Sequence, residues 1–235
     1  MSANSITILD SHGETLTNGK PLSTSGKTKM YSFPQFVLKL FPIDQKIENE
    51  VNALKKIQSN NIIKMIGSGP NFIIYERITP LKTIINPNKD KLIDQLCQIA
   101  SALYIIHSNG YIHGDVAIGN IGINNSGNYL LYDFETTKED KSDEARFKDV
   151  EMFLEDFIIQ YKESVQLQSL LTELLGKLKT KHTETKLLTR KMPSGKMKEL
   201  PTITYHYKPK DFGELLLNEY GKKCKIIQSN EPKID

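Results

Sequence analysis

The chain has 235 residues, 38% of them hydrophobic and 25% charged. This is globular composition with enough chain for a sizeable core, as one large domain or two small lobes, and it excludes whole-chain disorder. Thirty-one basic against 28 acidic residues leave a net charge of +3, too small to imply nucleic acid by itself. No run approaches the roughly eighteen apolar residues of a membrane span. The opening MSANSITILDSHG has neither a basic region nor an apolar core, so no secretory leader is expected. Two cysteines, Cys97 and Cys224, exclude a disulfide scaffold and a cysteine-rich zinc module. They fit a reducing, cytoplasmic compartment.

In chain order, the first thirty residues mix glycines and Pro21 with short β-prone pieces, read as strands joined by turns. Two further strands are predicted over 29–33 and 35–41, with Pro34 at the turn between them. A helix is predicted over 44–58, capped by Asp44, because Ile47, Val51, Leu54 and Ile57 recur at helical spacing. Strands are expected over 62–66 and 71–78, split by a turn at Gly67-Ser68-Gly69-Pro70. Residues 79–88 read as a connector. A long helix follows over 90–108, ended by Asn109-Gly110. Residues 111–123 read as a loop with strand ends. A turn at 124–127 and a strand over 129–133 come next. Helices are predicted over 148–161, 165–178 and 212–220, with a basic, less regular stretch between the last two. The order gives an α+β chain of two unlike lobes, β-rich over 1–78 and mainly helical over 79–235. A cleft between such lobes is a natural small-ligand site.

Chemistry concentrates in Tyr111-Ile-His-Gly-Asp-Val-Ala-Ile-Gly-Asn120 and Leu130-Leu-Tyr-Asp-Phe-Glu135. An aspartate precedes an asparagine by five positions, and a second aspartate ends a strand thirteen positions after that asparagine. These segments resemble the protein-kinase-like superfamily: His113-Gly114-Asp115 with Asn120 is similar to the catalytic loop, and Asp133-Phe134-Glu135 to the DFG segment. The resemblance covers roughly residues 20–160 and implies a two-lobed kinase-like fold that uses ATP and Mg²⁺. Asp115 is implied to orient the acceptor hydroxyl and take its proton. Asn120 and Asp133 are implied as the oxygen ligands of the metal. Lys39, ending the strand Phe36-Val-Leu-Lys39, is implied to hold the α- and β-phosphates. Glu50 would pair with it, and Glu48 is the possible substitute. Glu76 and Ile78 fall where the hinge would meet adenine. Ser25 and Gly26 fall in the loop over the phosphates, where Ser23, Ser25 and Thr28 stand at the family's glycine positions.

The departures carry information of their own. Gly114 replaces the arginine that reads loop phosphorylation, Ala117 stands where Ser/Thr kinases have lysine, and Glu135 replaces the DFG glycine. Asp149, resembling the aspartate that braces the catalytic loop, follows Asp133 too soon for a full activation segment. This short form is similar to RIO-type kinases and to the small kinase/ATPase subunit of the tRNA threonylcarbamoylation complex. The expected activity is phosphoryl transfer to a hydroxyl, foremost a protein Ser/Thr. A small alcohol of choline or aminoglycoside type, or a pseudokinase that only binds ATP, are the alternatives. A rival P-loop reading of Pro21-Leu-Ser-Thr-Ser-Gly-Lys-Thr28 fails at Pro21 and expects a helix next. Residues 177–198 hold seven lysines and Arg190 against Glu184. They are either a solvated surface or a dock for an acidic partner or nucleic acid.

Overall fold

The structure, a computed structural model, describes residues 6–9, 15–23, 28–81, 88–191 and 197–221. Six strands build an antiparallel sheet in the order β1-β2-β3-β4-β6-β5. They are β1 (Ile6–Leu9), β2 (Thr15–Ser23), β3 (Lys29–Ser32), β4 (Phe36–Leu40), β5 (Met65–Gly69) and β6 (Phe72–Glu76). Pro34 lies in the β3–β4 turn, closed by Phe33 N–H to the Phe36 carbonyl at 2.9 Å. Pro21 sits within β2 opposite Tyr31, and the next described element is the strand β3. Among the described residues, the strand-to-helix setting that a P-loop needs is not found here.

The helix predicted over 44–58 is shorter. It is α1 (Glu48–Lys56), with Ile47 at its N-cap and no side-chain cap. Asp44 lies in the preceding turn. The turn expected at 67–70 is displaced as well: Gly67 and Ser68 belong to β5, an edge strand with a register shift after Met65, and the reversal falls at Pro70–Asn71. An edge strand tolerates glycine because only one side of its ladder must pair. Residues 61–63 run beside β10 (Tyr129–Leu131) instead: Ile63 N–H reaches the Leu131 carbonyl at 2.9 Å, and Leu131 N–H the Asn61 carbonyl at 3.0 Å.

β7 (Ile78–Pro80) leads to α2 (Lys89–Ser108). Asn88 caps α2 by accepting Lys91 N–H, and Gly110 follows the helix at φ +80°, the left-handed position that helix ends favour. Apolar residues surround α2 almost completely, which makes it the central helix. Cys97 is buried on it.

β8 (Tyr111–Ile112) and β9 (Ile121–Asn124) follow. A three-stranded sheet has the order β10-β9-β7, and β11 (Lys138–Glu139) pairs with β8. Helix α3 (Asp143–Gln160) begins earlier than periodicity indicates, because Ser142 caps it by accepting Ala145 N–H. Phe147, Val150, Phe153, Leu154 and Phe157 bury its inner face against α4 (Val165–His182).

The stretch read as irregular is a hairpin of β12 (Thr183–Lys191) and β13 (Met197–Tyr205), in register from Thr183↔Tyr205 to Lys191↔Met197. The chain then runs into α5 (Asp211–Tyr220). One buried apolar cluster spans α1, β6, α2, β10, α3, α4 and α5, while Tyr31, Phe33 and Leu38 form a second, smaller one.

Candidate active site

Strand alternation decides what β4 offers. Val37 and Lys39 share a face, opposite Tyr75 and Ile73 of β6. Lys39 is thereby turned inward and is 3% exposed. Its Nζ lies 3.1 Å from Glu50 Oε2 on α1, 2.7 Å from Asp133 Oδ1 and 3.5 Å from Glu135 Oε2. An ammonium buried to this degree is costly unless paired. Burial alone would lower the Lys39 pKa, but the carboxylates of Glu50, Asp133 and Glu135 together hold it above its ordinary value. Burial raises the Glu50 carboxyl above its usual value, partly offset by Lys39 and by a hydrogen bond from Tyr75. The short spacing of Lys39 and Glu50 in sequence does not keep them apart, whereas Glu48 is exposed.

Asp133 follows β10 with φ +65° and ψ +71°. It is the only described non-glycine residue at positive φ, a conformation that persists only where surroundings impose it. Lys39 holds its carboxylate. The next residue, Phe134, is fully buried against the His113 ring at 4.8 Å and donates its N–H to Glu50 Oε1 at 3.3 Å.

Asp115 is exposed, and its neighbours fix it. Asn120 Nδ2 donates to Asp115 Oδ2 at 2.7 Å and to its carbonyl at 2.9 Å. Tyr132 N–H donates to the Asn120 carbonyl at 2.9 Å, which seats Asn120 beside the strand leading to Asp133. The loop itself hangs on α3. Asp149, 2% exposed, accepts His113 N–H and Gly114 N–H, both at 2.8 Å, and meets His107 Nε2 at 3.0 Å. Gly114 has φ +81°, and a Cβ there would lie 3.1 Å from the Thr136 carbonyl. An arginine would be strained at this position, which accounts physically for the glycine. His113 is fully buried, and burial keeps its pKa below the ordinary value.

Met30, Val37, Ile63, Tyr75, Ile78 and Tyr132 line an apolar cavity that ends at Lys39 and Asp133. Ile78 therefore faces the site. The Glu76 side chain does not line that cavity; its Oε1 accepts Lys64 N–H at 2.9 Å. Ser25 and Gly26 lie outside the described residues. Among the described residues, no group of three or more His, Cys, Asp and Glu is gathered around a metal position.

Two contributors escape the sequence reading. Asp156 accepts Ile118 N–H at 2.7 Å. It stands seven residues after Asp149, two turns along one helix face, and that spacing was the available signal. Tyr75, next to the expected hinge residue Glu76, donates its hydroxyl to Glu50 Oε1 at 2.5 Å. Three of the tract's eight basic residues are paired locally: Lys177 with Glu173 and Glu219, Lys179 with Glu151 and Glu155, and Lys186 with Glu184. No described helix is long and apolar enough to cross a membrane.

Comparison with known proteins agrees with this geometry. The family described as protein tyrosine and serine/threonine kinase matches residues 42–155. A probable serine/threonine-protein kinase of Dictyostelium discoideum is 33% identical over 114 residues, 44% of this chain and 23% of that protein. A probable serine/threonine-protein kinase of Clostridium acetobutylicum is 31% identical over 103 residues, 40% of this chain and 16% of its own length. Mitogen-activated protein kinase kinase kinase 1 of Arabidopsis thaliana is 28% identical over 111 residues, 43% of this chain and 18% of that protein. The matched part is thus less than a quarter of each relative. The likeness to protein kinases is thus a likeness of one part of the chain, residues 42–155 in the family match. The family match starts after Lys39, so the geometry argues that residue's place independently.

Proposed function

We propose that the chain is a Mg-ATP-dependent phosphotransferase acting on a hydroxyl, foremost on Ser or Thr of a protein. In this reading residues 1–78 and 79–235 are the two lobes of one kinase-like domain, with the nucleotide between them. The observation that carries it is the convergence on Lys39: residues as far apart in sequence as Glu50 and Asp133 both reach its ammonium.

Each residue then has a chemical task. Asp115 orients the acceptor hydroxyl and takes its proton as the new O–P bond forms and the bond to ADP breaks. Asn120 holds Asp115 in place through its amide nitrogen, which leaves its amide oxygen as a hard ligand. With the Asp133 carboxylate, partly exposed, this suits magnesium, which commonly takes one or two protein ligands plus substrate phosphates and water. Magnesium supplies neutralisation of phosphate oxygens when bound. Lys39 bears on the α- and β-phosphates and Ile78 and its apolar neighbours on the adenine, while the resemblance assigns Ser25 and Gly26 to the phosphates.

A small-alcohol acceptor has one observation in its favour. Residues 134–142 run directly from Asp133 through β11 to the α3 cap, and this short course leaves no long activation segment to support an extended peptide. Incubation with γ-labelled ATP, Mg²⁺, a generic protein substrate and choline tests both readings. Label in protein, lost in Asp115→Asn, supports the first reading, and label in choline supports the second. ATP binding without transfer to either would favour the pseudokinase.

A further inference from the structure

Glu50 presents an energetic problem. Its carboxylate is 2% exposed, and a carboxylate so buried needs donors for both oxygens. Oε2 has Lys39 at 3.1 Å, but that lysine is contested, because Asp133 Oδ1 lies closer to it at 2.7 Å. Oε1 has Lys39 at 3.4 Å, Phe134 N–H at 3.3 Å and the Tyr75 hydroxyl at 2.5 Å. Only the last is short. Helix α1 does little to fix the rotamer from its own side, being nine residues long with no side-chain cap. Tyr75, by contrast, comes from the interior of the sheet. It is 2% exposed on β6, opposite Val37 of β4 on one side and Met65 of β5 on the other.

We propose that Tyr75 is a positioning residue, whose hydroxyl holds Glu50 turned into the cleft so that the Lys39–Glu50 pair is assembled before any ligand arrives. Regulation by swinging α1 away from Lys39 is thereby opposed from within the sheet. The inference rests on the phosphoryl-transfer reading only for its consequence on turnover, because the side-chain geometry itself can be measured without any reaction.

The test is Tyr75→Phe in the full chain, which removes one oxygen atom. Acylation of Lys39 by the N-hydroxysuccinimide ester of acetic acid is followed by peptide mass spectrometry, with exposed Lys56 of α1 as reference. In the nucleotide-free protein, Lys39 should acylate several-fold faster in the variant, and this increase should vanish when Glu50→Gln is already present. Turnover should fall about tenfold, the scale of one charge-assisted hydrogen bond, with kcat moving more than the KM for ATP. A folded Tyr75→Phe protein that acylates Lys39 at the wild-type rate would overturn the proposal. Faster acylation in a chain whose wild type transfers no phosphate would leave it standing and remove the phosphotransferase reading instead. Should Tyr75→Phe not fold, Tyr75→Met is read in the same way. In the wild type, NMR should find a slowly exchanging, downfield Tyr75 hydroxyl proton, and its absence would equally overturn the assignment.

Discussion

Lys39 Nζ lies nearer to Asp133 than to Glu50, at 2.7 Å against 3.1 Å. The lysine thus joins the sheet to the segment after β10 as firmly as to the helix that follows its own strand. In the proposed reaction the Asp133 carboxylate must serve both this lysine and a magnesium ion. Asp133→Asn keeps the shape and removes the charge. Transfer should fall on the order of a thousandfold, the scale of several kcal/mol of lost metal stabilisation. The circular dichroism spectrum should be unchanged, and wild-type turnover in the variant would reject Asp133 as a ligand.

The segment from Asp133 to α3 is held at almost every step. Thr136 Oγ1 donates to the His113 carbonyl at 2.8 Å, β11 pairs with β8, and Asp140 N–H reaches the Gly110 carbonyl at 3.0 Å. Gly114 offers no guanidinium to read a phosphate. Activity should therefore not depend on phosphorylation of residues 134–148. Treatment with a protein phosphatase is expected to leave the initial rate within about twofold, whereas a loss restored by rephosphorylation would contradict this reading.

Asp149 accepts the buried His113 N–H and the half-buried Gly114 N–H and meets the buried His107 ring. Replacing it by Ala leaves both N–H groups without this acceptor, that of His113 buried. The cost should be about 3 kcal/mol or more, read from the urea midpoint at constant slope. Turnover should collapse with it, because Asp115 is two residues from His113. A loss under about 1 kcal/mol would mean that the loop holds its shape without α3.

Acid should weaken the fold through His113. Burial keeps its folded pKa below the ordinary 6.5, against the raising influence of Asp149, the Tyr132 carbonyl, Asp133 and Asp115. Below pH 6.5 the unfolded chain binds the proton more readily than the folded one. The stabilisation is thus complete above that pH and is lost as pH falls through the folded value. The melting temperature should drop between pH 7 and pH 5, and His113→Gln should flatten that slope. An unaltered slope in the variant would assign the acid sensitivity elsewhere.

The catalytic loop and the Asp133 segment are legible in the sequence because their polar residues stand at short, fixed offsets. Lys39 and Ile78 are expected only through the resemblance, and strand alternation accounts for the inward face of Lys39. Tyr75 bonding to Glu50, 25 residues away, is a tertiary fact that no local period encodes. Helix α1 starts late because Ile47, whose side chain offers no cap, occupies the N-cap, while Asp44 is consumed by a turn. The hairpin of β12 and β13 escapes notice because it is largely exposed. Its apolar residues, Leu187, Leu188, Met197 and Ile203, leave no one-sided burial pattern to read.

That hairpin has a consequence for the protein in solution. Its strands are nine residues each, and among the described residues no third strand joins either side. Two such ribbons, meeting edge to edge, could extend one another indefinitely, and exposed Leu187, Met197 and Ile203 would reward the encounter. Lys198 stands exposed on β13, and a lysine on an open edge makes that meeting unfavourable at ordinary ionic strength. Screening by salt should therefore promote association of the ribbon at high protein concentration, which light scattering at two ionic strengths would detect.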